Sequence, residues 1–445
     1  MIWTIAKHEF LEYIKSLRFL IGFMVTIALV ALSTVINVND YRERLSDYST
    51  ARKEMAGNAY TLIVYRTPEV LSILEQGIDR TLGNRASLNP FENPTRMSGY
   101  LENYASQHHR FVAGFSIVDF AFVVRIILSL MVIFLAYNAV AGEKSAGTLR
   151  LILSNPVPRY AVLLGKIMGG LMLVLVSLFA AMIMALLILI THPAVALTGS
   201  DWIRILGMGF VSALYLVTIF ALSILVSVLV DRPSTSLLIL LQTWLFLVVL
   251  YPGGALILAE QWWRLPGEEE LAARKKAAFQ PFEKEYEETQ KAFSDSIRKT
   301  AHVPQDIDLR QHDLNVMRAT LNRSVDLELT HAESEQMRLA GSMAIFSPAA
   351  LYDQAMVRLA RTGGEEFDRF IDGVGRTWSD HTSLLRSFIT SPEKRKTAHI
   401  PEFSAPREPD EESLLATVPQ VIVLLFLLLI PFMAAHARFN TKDVR

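Results

Sequence analysis

Residues 142–166 read GEKSAGTLRLILSNPVPRYAVLLGK and separate two strongly apolar runs. This stretch has four basic residues, one acid and two prolines, so it is polar where its neighbours are not. The whole chain has 445 residues, is 51% hydrophobic and only 20% charged, and has a mean hydropathy of +0.31. That composition is too apolar for an ordinary soluble protein. The stretch is therefore predicted to be a polar turn between two membrane-spanning segments.

A short amphipathic helix is predicted inside this turn. Leu149, Ile152 and Leu153 share one helical face. Pro156 and Pro158 then end the helix and direct the chain back toward the membrane. A rigid helix between two spans can pass a displacement to both of them, whereas a flexible loop cannot. The residues alone equally allow a basic turn that only sets the topology.

Six segments are apolar and long enough to cross a membrane, which takes about 20 residues. The predicted spans are 19–37, 117–140, 162–190, 205–230, 236–259 and 414–436. The first follows a basic stretch like that of a signal peptide. Its apolar run is too long for one, and no small-residue cleavage site follows, so we expect it to be retained.

The distribution of charge predicts the orientation of these spans. The segments on one side are 1–18, 141–161, 231–235 and 437–445, which hold 11 Lys and Arg against 5 Asp and Glu when counted through Lys166. On the other side, insert 38–116 has 9 of each and insert 260–413 has 21 Lys and Arg against 28 Asp and Glu. Because cytoplasmic loops carry the basic excess, we expect both termini in the cytoplasm of a bacterium, and both inserts in the periplasm.

The inserts are predicted to be mainly helical, so the fold class is an all-α membrane protein. Apolar residues at helical spacing in 267–300 and 314–329, separated by the break at 302–304, predict a helical hairpin. Pro348 opens a further helix, with a break at Gly363-Gly364. We expect an extended tail at 401–412 before the last span. Insert 38–116 is expected to begin as a helix and to become irregular around 84–97.

The N-terminal residues 1–18 predict an amphipathic helix in the headgroup layer of the membrane. Its apolar face is formed by Trp3, Ala6, Phe10, Tyr13 and Leu17, and its charged residues lie on other faces.

Several kinds of chemistry are missing from the sequence. The chain has no cysteine and hence no thiolate metal site or cysteine nucleophile. It has no phosphate-binding GxxxxGK[ST] motif, since Gly165-Lys166 is followed by Ile167. His8-Glu9 lacks the second histidine of a zinc protease, and His108-His109 is more typical of polar surface than of a metal site. No metal site and no nucleic-acid partner are predicted.

Three polar residues within the spans have two interpretations. Asp119 and Arg125 lie in the outer half of the second span, and Gln242 lies in the fifth. Intramembrane charges favour a functional role, here on a substrate path where Arg125 could meet an anionic group. The structural alternative, which we favour, is that Arg125 reaches outward or pairs with another span.

The turn resembles the first cytoplasmic loop of type-2 ABC exporter permeases. The matching residues are Glu143, Lys144, Gly147, Thr148, Leu149, Pro156, Arg159, Gly165 and Lys166. The resemblance extends to the six spans, to the amphipathic N-terminal helix and to the Asp231-Arg232-Pro233 turn before the fifth span. It implies that the turn is a coupling helix docking on an ATPase. The implied contacts are Glu143, Lys144, Gly147, Thr148, Leu149 and Arg150.

The resemblance also implies the partners and the function. The chain would be the permease subunit of a bacterial inner-membrane exporter. It would form a homodimer with a second permease subunit and would bind two ATPase subunits and membrane lipid. ATP and Mg would be bound by the ATPase, and no cofactor by this chain, which is then not itself an enzyme. A second interpretation is a non-transporting subunit that transmits force through 260–413 to a periplasmic partner. An intramembrane enzyme lacks any constellation of residues to carry its chemistry.

Overall fold

The computed structural model describes residues 2–54, 62–77, 85–88, 97–98, 118–154, 158–391, 393, 403 and 409–441. Within these ranges the chain is almost wholly helical. The helices are α1 (Ile2–Ile14), α2 (Leu17–Glu54), α3 (Phe120–Ser145), α4 (Thr148–Leu153), α5 (Arg159–Thr191), α6 (Gly199–Leu229), α7 (Pro233–Trp262), α8 (Glu268–Thr300), α9 (Gln305–Met343), α10 (Pro348–Ala360), α11 (Gly364–Thr390), α12 (Asp410–Leu415) and α13 (Val418–Thr441). Two of them contain a π-helical turn, Val123–Leu128 in α3 and Leu245–Leu250 in α7.

Among the residues that the structure describes, six helical segments are long and apolar enough to span a membrane, which confirms the predicted number. They are α2, α3, α5, α6, α7 and the pair α12–α13. Most are longer than the predicted spans, because a helix can continue beyond the hydrocarbon where its polar groups are paired. In α2, for example, Arg44 Nε lies 3.0 Å from Asp40 Oδ2 one turn away, and both side chains are buried.

Helix α6 lies at the centre of the bundle and packs against α3, α5, α10 and α13. Its side chains Tyr215 and Phe220 are almost fully buried. A Cβ atom added to Gly170 of α5 would lie 2.5 Å from the Phe220 ring, so only glycine allows this close approach. We call the end of the bundle that carries α4 the turn side, and the end that carries the two inserts the insert side.

The first insert, 38–116, contains a small antiparallel sheet that the sequence analysis did not predict. Its strands are β1 (Leu62–Tyr65), β2 (Arg85–Leu88) and β3 (Met97–Ser98), in the order β1-β2-β3, with Leu62 opposite Leu88. Strands of four and two residues are too short to produce a clear alternation of apolar and polar side chains. The irregular structure expected around 84–97 is therefore wrong for β2 and β3.

The second insert, 260–413, contains the predicted helical hairpin, formed by α8 and α9. Ala301 ends α8 in the left-handed region (φ 51°), and Pro304 stands immediately before α9. Ion pairs join the two helices, such as Lys275 Nζ to Asp326 Oδ1 at 2.5 Å. The predicted extended tail is wrong at its end, because α12 begins at Asp410 with three acids in its first turn, where they favour a helix N-terminus.

The end of α9 and the start of α10 form a re-entrant hairpin beside α7. The Tyr251 hydroxyl donates to the Met343 carbonyl at 2.6 Å, and the Ser347 hydroxyl donates to the Leu247 carbonyl at 2.6 Å. Leu247 precedes Trp262, the last residue of α7, by 15 residues, or about 22 Å of helix. The hairpin therefore reaches about halfway along the fifth span from the insert side.

Helix α10 then returns to the insert side along α6. The Tyr352 ring stacks on Tyr215 with 4.8 Å between centroids, and the hydroxyls of Tyr352 and Ser212 lie 3.2 Å apart. Nearer the insert side, Leu359 lies against Gly207, where an added Cβ would be 3.2 Å from its side chain. The second insert is thus partly built into the membrane bundle rather than only attached above it.

Candidate functional site

The turn between α3 and α5 consists of two helical segments with a sharp change of direction. Residues Ala141–Ser145 end α3, and α4 follows. Gly147 joins them with φ 72°, a conformation that glycine adopts readily and other residues rarely. An added Cβ at Gly147 would meet nothing within 4 Å, so the requirement for glycine comes from the backbone alone.

Glu143 is paired inside the protein. Its Oε1 lies 2.7 Å from the ammonium of Lys166 on α5, and the same ammonium lies 2.5 Å from Glu9 Oε1 on α1. The Lys166 side chain is only 4% exposed. Because a buried ammonium is costly unless it is paired, these two carboxylates fix the positions of α1, α5 and the turn relative to one another.

Lys144 is directed at the C-terminal end of α6. Its ammonium donates to the carbonyl of Val230 at 3.0 Å and to that of Val228, and lies 3.8 Å from Asp231 Oδ1. The last carbonyls of a helix lack partners within the helix and carry partial negative charge, so a cation is favoured there. Lys144 therefore ties the turn to the fourth span.

Ser227 of α6 provides a second connection to the start of the turn. Its hydroxyl oxygen accepts hydrogen bonds from the backbone N–H groups of Val140 and Ala141, each at 3.0 Å, and donates to the Tyr137 carbonyl at 3.0 Å. The serine side chain is fully buried. Residues 137–140, where the regular helix of α3 is interrupted just before the turn, are thus held in place by α6.

Helix α1 packs closely on α5 through two glycines. A Cβ atom at Gly165 would lie 2.7 Å from the Ile5 side chain, and one at Gly169 would lie 2.6 Å from the Ala6 carbonyl. Trp3, expected on the apolar face of the N-terminal helix, is 61% exposed. Leu17, expected on the same face, is 69% exposed and begins α2 instead. The packed face of α1 therefore includes Ile5, Ala6 and Glu9, and the predicted placement of Glu9 away from the apolar face is wrong.

The predicted ATPase-contacting residues fall into two groups in the structure. Glu143 and Lys144 are engaged within the chain, and Leu149 is buried in the core (3% exposed), whereas Gly147 and Thr148 are exposed. The backbone of Arg150 lies in α4, and its side chain is outside the described part of the structure. Contact of these residues with an ATPase stays a prediction.

Sequence reasoning missed an exposed apolar side chain of the turn. Leu151 is 70% exposed at the centre of α4, next to the exposed Thr148. The amphipathic pattern assigned Leu149 correctly to the apolar face and left Leu151 unassigned. The sequence did contain a signal, because Leu151 is the apolar residue of 148–153 that does not lie on that face.

Of the three polar residues of the spans, Asp119 and Arg125 lie near each other at the start of α3, whereas Gln242 is on α7. Asp119 caps the start of α3, accepting from the backbone N–H of Phe122 at 2.7 Å and of Gln76 at 3.0 Å. Arg125 forms an ion pair with Asp353 of α10, so its partner lies in the second insert rather than in another span. Gln242 is exposed on α7.

Metal binding has no support in the described part of the chain. No group of three or more histidine, aspartate and glutamate side chains there is arranged to hold a metal ion. His108-His109 lies outside the described residues.

Comparison with known proteins identifies the family. A family model described as ABC-2 family transporter protein matches residues 3–444. The chain is 34% identical over 129 residues to a probable ABC transporter permease protein NosY of Pseudomonas aeruginosa, which covers 28% of this chain and 46% of that protein. It is 31% identical over 138 residues to a protein of the same description from Stutzerimonas stutzeri, which covers 31% and 49%.

The matched stretch spans about half the length of these two relatives, whereas the family model covers nearly the whole chain. The six candidate spans agree with a multi-pass membrane subunit. The chain therefore belongs to the ABC-2 family of transporter proteins and is a permease subunit of an ABC transporter.

Proposed function

We propose that this permease couples ATP hydrolysis in a separate ATPase subunit to export across a bacterial inner membrane. The turn side faces the cytoplasm with both termini, and the inserts face the periplasm, as the charge distribution favours. The complex holds two ATPase subunits, which bind ATP and Mg, and two copies of this permease.

The observation that carries this proposal is the attachment of the turn to three helices. Lys166 joins it to α5 and α1, and Lys144 joins it to α6. A partner that moves α4 therefore moves three helices, because buried ion pairs resist separation. A loop serving only as a connection would need none of these contacts.

The docking residues are the exposed ones. Thr148 and Leu151 present a small exposed surface on α4, and removing the apolar area of Leu151 from water against a partner would stabilise the complex. Leu149 is a poor choice for a test, because an aspartate there would place a charge in the core. Leu151→Asp tests docking without that complication.

The test measures ATPase activity and copurification of the ATPase with the Leu151→Asp permease. We expect the permease to insert and fold normally while ATPase binding and permease-stimulated hydrolysis fall about tenfold, the effect of about 1.4 kcal/mol. Ile297→Asp is the matched control, since Ile297 is an exposed apolar residue of α8, outside the candidate spans. Equal ATPase binding by both variants would refute the docking assignment.

The orientation has its own test, which the absence of cysteine makes clean. A single cysteine at Gln290, exposed on α8, should react with an impermeant thiol reagent in intact spheroplasts. A single cysteine at Leu151 should react only after the membrane is opened. The reverse pattern would overturn the orientation.

A second function is supported by the hairpin of α8 and α9. Helix α9 has 39 residues, about 58 Å of continuous helix, and it runs from the re-entrant hairpin beside α7 to the tip beside α8. Such a rod could transmit movement of the spans to a periplasmic partner, with no substrate crossing. Shortening both helices of the hairpin by matched turns distinguishes the two functions: an exporter keeps transport, whereas a force-transmitting subunit loses its effect on the partner.

A further inference from the structure

A cavity of about 810 Å³ lies between the second insert and the last two spans. Its walls come from α7, the second half of α9, α10, the start of α11 and the segment α12–α13. Pockets of about 300–1,000 Å³ are typical of sites for small molecules. The cavity is distinct from the turn side and from the contacts of Lys166.

The floor of the cavity is apolar and lies at the depth of the membrane. Leu256 of α7 and Pro419 and Val423 of α13 line it. Leu256 is 44% exposed and is followed by Ile257, which is 58% exposed on the outside of the span. Ile422, beside Val423, is 46% exposed in the same way. The floor therefore borders the surface that lipid tails cover, so an amphiphile could enter from the side.

The wall nearest the inserts carries charges of both signs. The charged lining residues are Arg338, Arg358, Arg361, Glu335, Glu365, Glu366 and Asp368. Several pair with one another, as Arg358 does with Glu365 at 2.8 Å. A head group of a single sign would meet like charges in this wall. A head group with both an ammonium and a phosphate can face a carboxylate and a guanidinium at once.

Asp368 is the group best placed for the ammonium. Among the residues that the structure describes, it has neither a hydrogen bond nor an ion pair within the usual distances, although it lines the cavity. Burial raises the pKa of its carboxyl, and the nearby Asp372, Glu365 and Glu333 raise it further, while His331 acts in the opposite direction. A carboxylate that is costly in its charged form gains from a cation placed against it.

We propose that this cavity binds one zwitterionic phospholipid, with its acyl chains on the floor between α7 and α13 and its ammonium against Asp368. The phosphate faces Arg358 and Arg361, which line the same wall and pair with Glu365 and Glu366 of α11. Bound lipid would then fill the space between the re-entrant hairpin and the last span. This site does not depend on the docking of an ATPase.

Native mass spectrometry of the full-length protein tests the proposal. The protein is released from nanodiscs of equimolar phosphatidylethanolamine and phosphatidylglycerol, and the lipid retained per chain is identified. We expect one phosphatidylethanolamine to be retained. Val423→Trp should lower its retention about tenfold by filling the floor, whereas Ile422→Trp, the neighbouring lipid-facing position, should leave retention unchanged.

Asp368→Asn separates the head-group assignment from the shape of the cavity. We expect this variant to retain phosphatidylglycerol as well as phosphatidylethanolamine, because the carboxylate that selects the ammonium is gone. Equal retention by Val423→Trp and the parent would overturn the site. Retention of phosphatidylglycerol by the parent at the level of phosphatidylethanolamine would overturn its selectivity. Thermal melting shows whether each variant is folded. If Val423→Trp does not fold, the lipid selectivity of Asp368→Asn still tests the proposal.

Discussion

Lys166 and Glu143 form an ion pair of 2.7 Å that joins the third span to the beginning of the turn. The same ammonium pairs with Glu9 at 2.5 Å, so one buried cation holds two carboxylates from different parts of the chain. Glu9 belongs to the N-terminal helix, which the sequence placed in the headgroup layer. We therefore expect the N-terminal helix to move together with the turn in the proposed coupling.

Replacing Lys166 with methionine should strongly destabilise the protein. The substitution leaves two carboxylates unpaired at a buried position, which costs about 3–5 kcal/mol for a buried pair. Thermal unfolding in detergent measures the effect as a lower melting temperature. The triple variant Glu9→Gln, Glu143→Gln, Lys166→Met removes all three charges and should recover most of the loss. A single Lys166→Met variant that melts with the parent would show that the pairs contribute nothing.

Replacing Gly147 with alanine should disturb the turn through its backbone. The φ of 72° costs an ordinary residue about 1–2 kcal/mol, so α4 is expected to change direction relative to α3. Gly199→Ala is the matched control, because neither site has an atom within 4 Å of an added Cβ and only Gly147 has positive φ. ATPase stimulation by the permease is the measurement. Equal stimulation by both variants would contradict the role of this turn geometry.

His312 should make the stability of the second insert depend on pH. Burial lowers its pKa, and its Nε2 lies 3.2 Å from the Thr382 carbonyl, to which the neutral ring can donate. In the unfolded chain the pKa is about 6.5, so below that pH the unfolded state binds more protons than the folded state. Stability contributed by this group is therefore present above pH 6.5 and is lost as the pH falls toward the lower folded pKa.

Amide hydrogen exchange in α9, measured at pH 7.5 and 5.5 and corrected for intrinsic rates, tests this dependence. We expect protection to fall at the lower pH in the parent and to fall less in His312→Gln, whose amide can still donate to Thr382. The other histidines contribute equally to both proteins, so the difference between the two isolates His312. Identical pH dependence in parent and variant would exclude it as the cause.

The parts of the fold that the sequence predicts well are those set by local periodicity. Six apolar runs and the α8–α9 hairpin follow from spacing along single helices. The re-entrant hairpin escaped prediction because its apolar run around 339–352 is too short to span a membrane and carries no signal of its depth. The depth of this hairpin is evident only from its hydrogen bonds with Tyr251 and Leu247 of α7, which are distant in sequence.

The same limit applies to the polar residues of the candidate site. The family resemblance assigned Glu143 and Lys144 to contact with an ATPase. Their partners within the chain, Lys166 (itself paired with Glu9) for Glu143 and Val230 for Lys144, depend on how the helices pack. Arg125 was expected to reach outward or to pair with another span, whereas its partner is Asp353 on α10. Pairing across long sequence separations is a property of the packed structure.

The ion pair of Arg125 and Asp353 should hold the re-entrant hairpin against the second span. Arg125 lies in the π-helical turn of α3. Its backbone carbonyl accepts a hydrogen bond from the Tyr215 hydroxyl at 3.0 Å. Arg125→Met leaves the Asp353 carboxylate without its cation. The two side chains are 29% and 33% exposed, so we expect a modest loss of about 1–2 kcal/mol rather than that of a fully buried pair.

A double-mutant cycle measures this pair directly. Arg125→Met and Asp353→Leu should each lower the melting temperature, and the double variant should lose less than the sum, because each single variant leaves one charge unpaired. Asp353→Asn should lose less than Asp353→Leu, since its amide oxygen can still accept from the guanidinium. A single cysteine at Phe346, 68% exposed near the tip of the hairpin, should react faster with a lipid-soluble thiol reagent in Arg125→Met. Additive losses and an unchanged labelling rate would show that the hairpin is held by its apolar contacts with α6 and α7 alone.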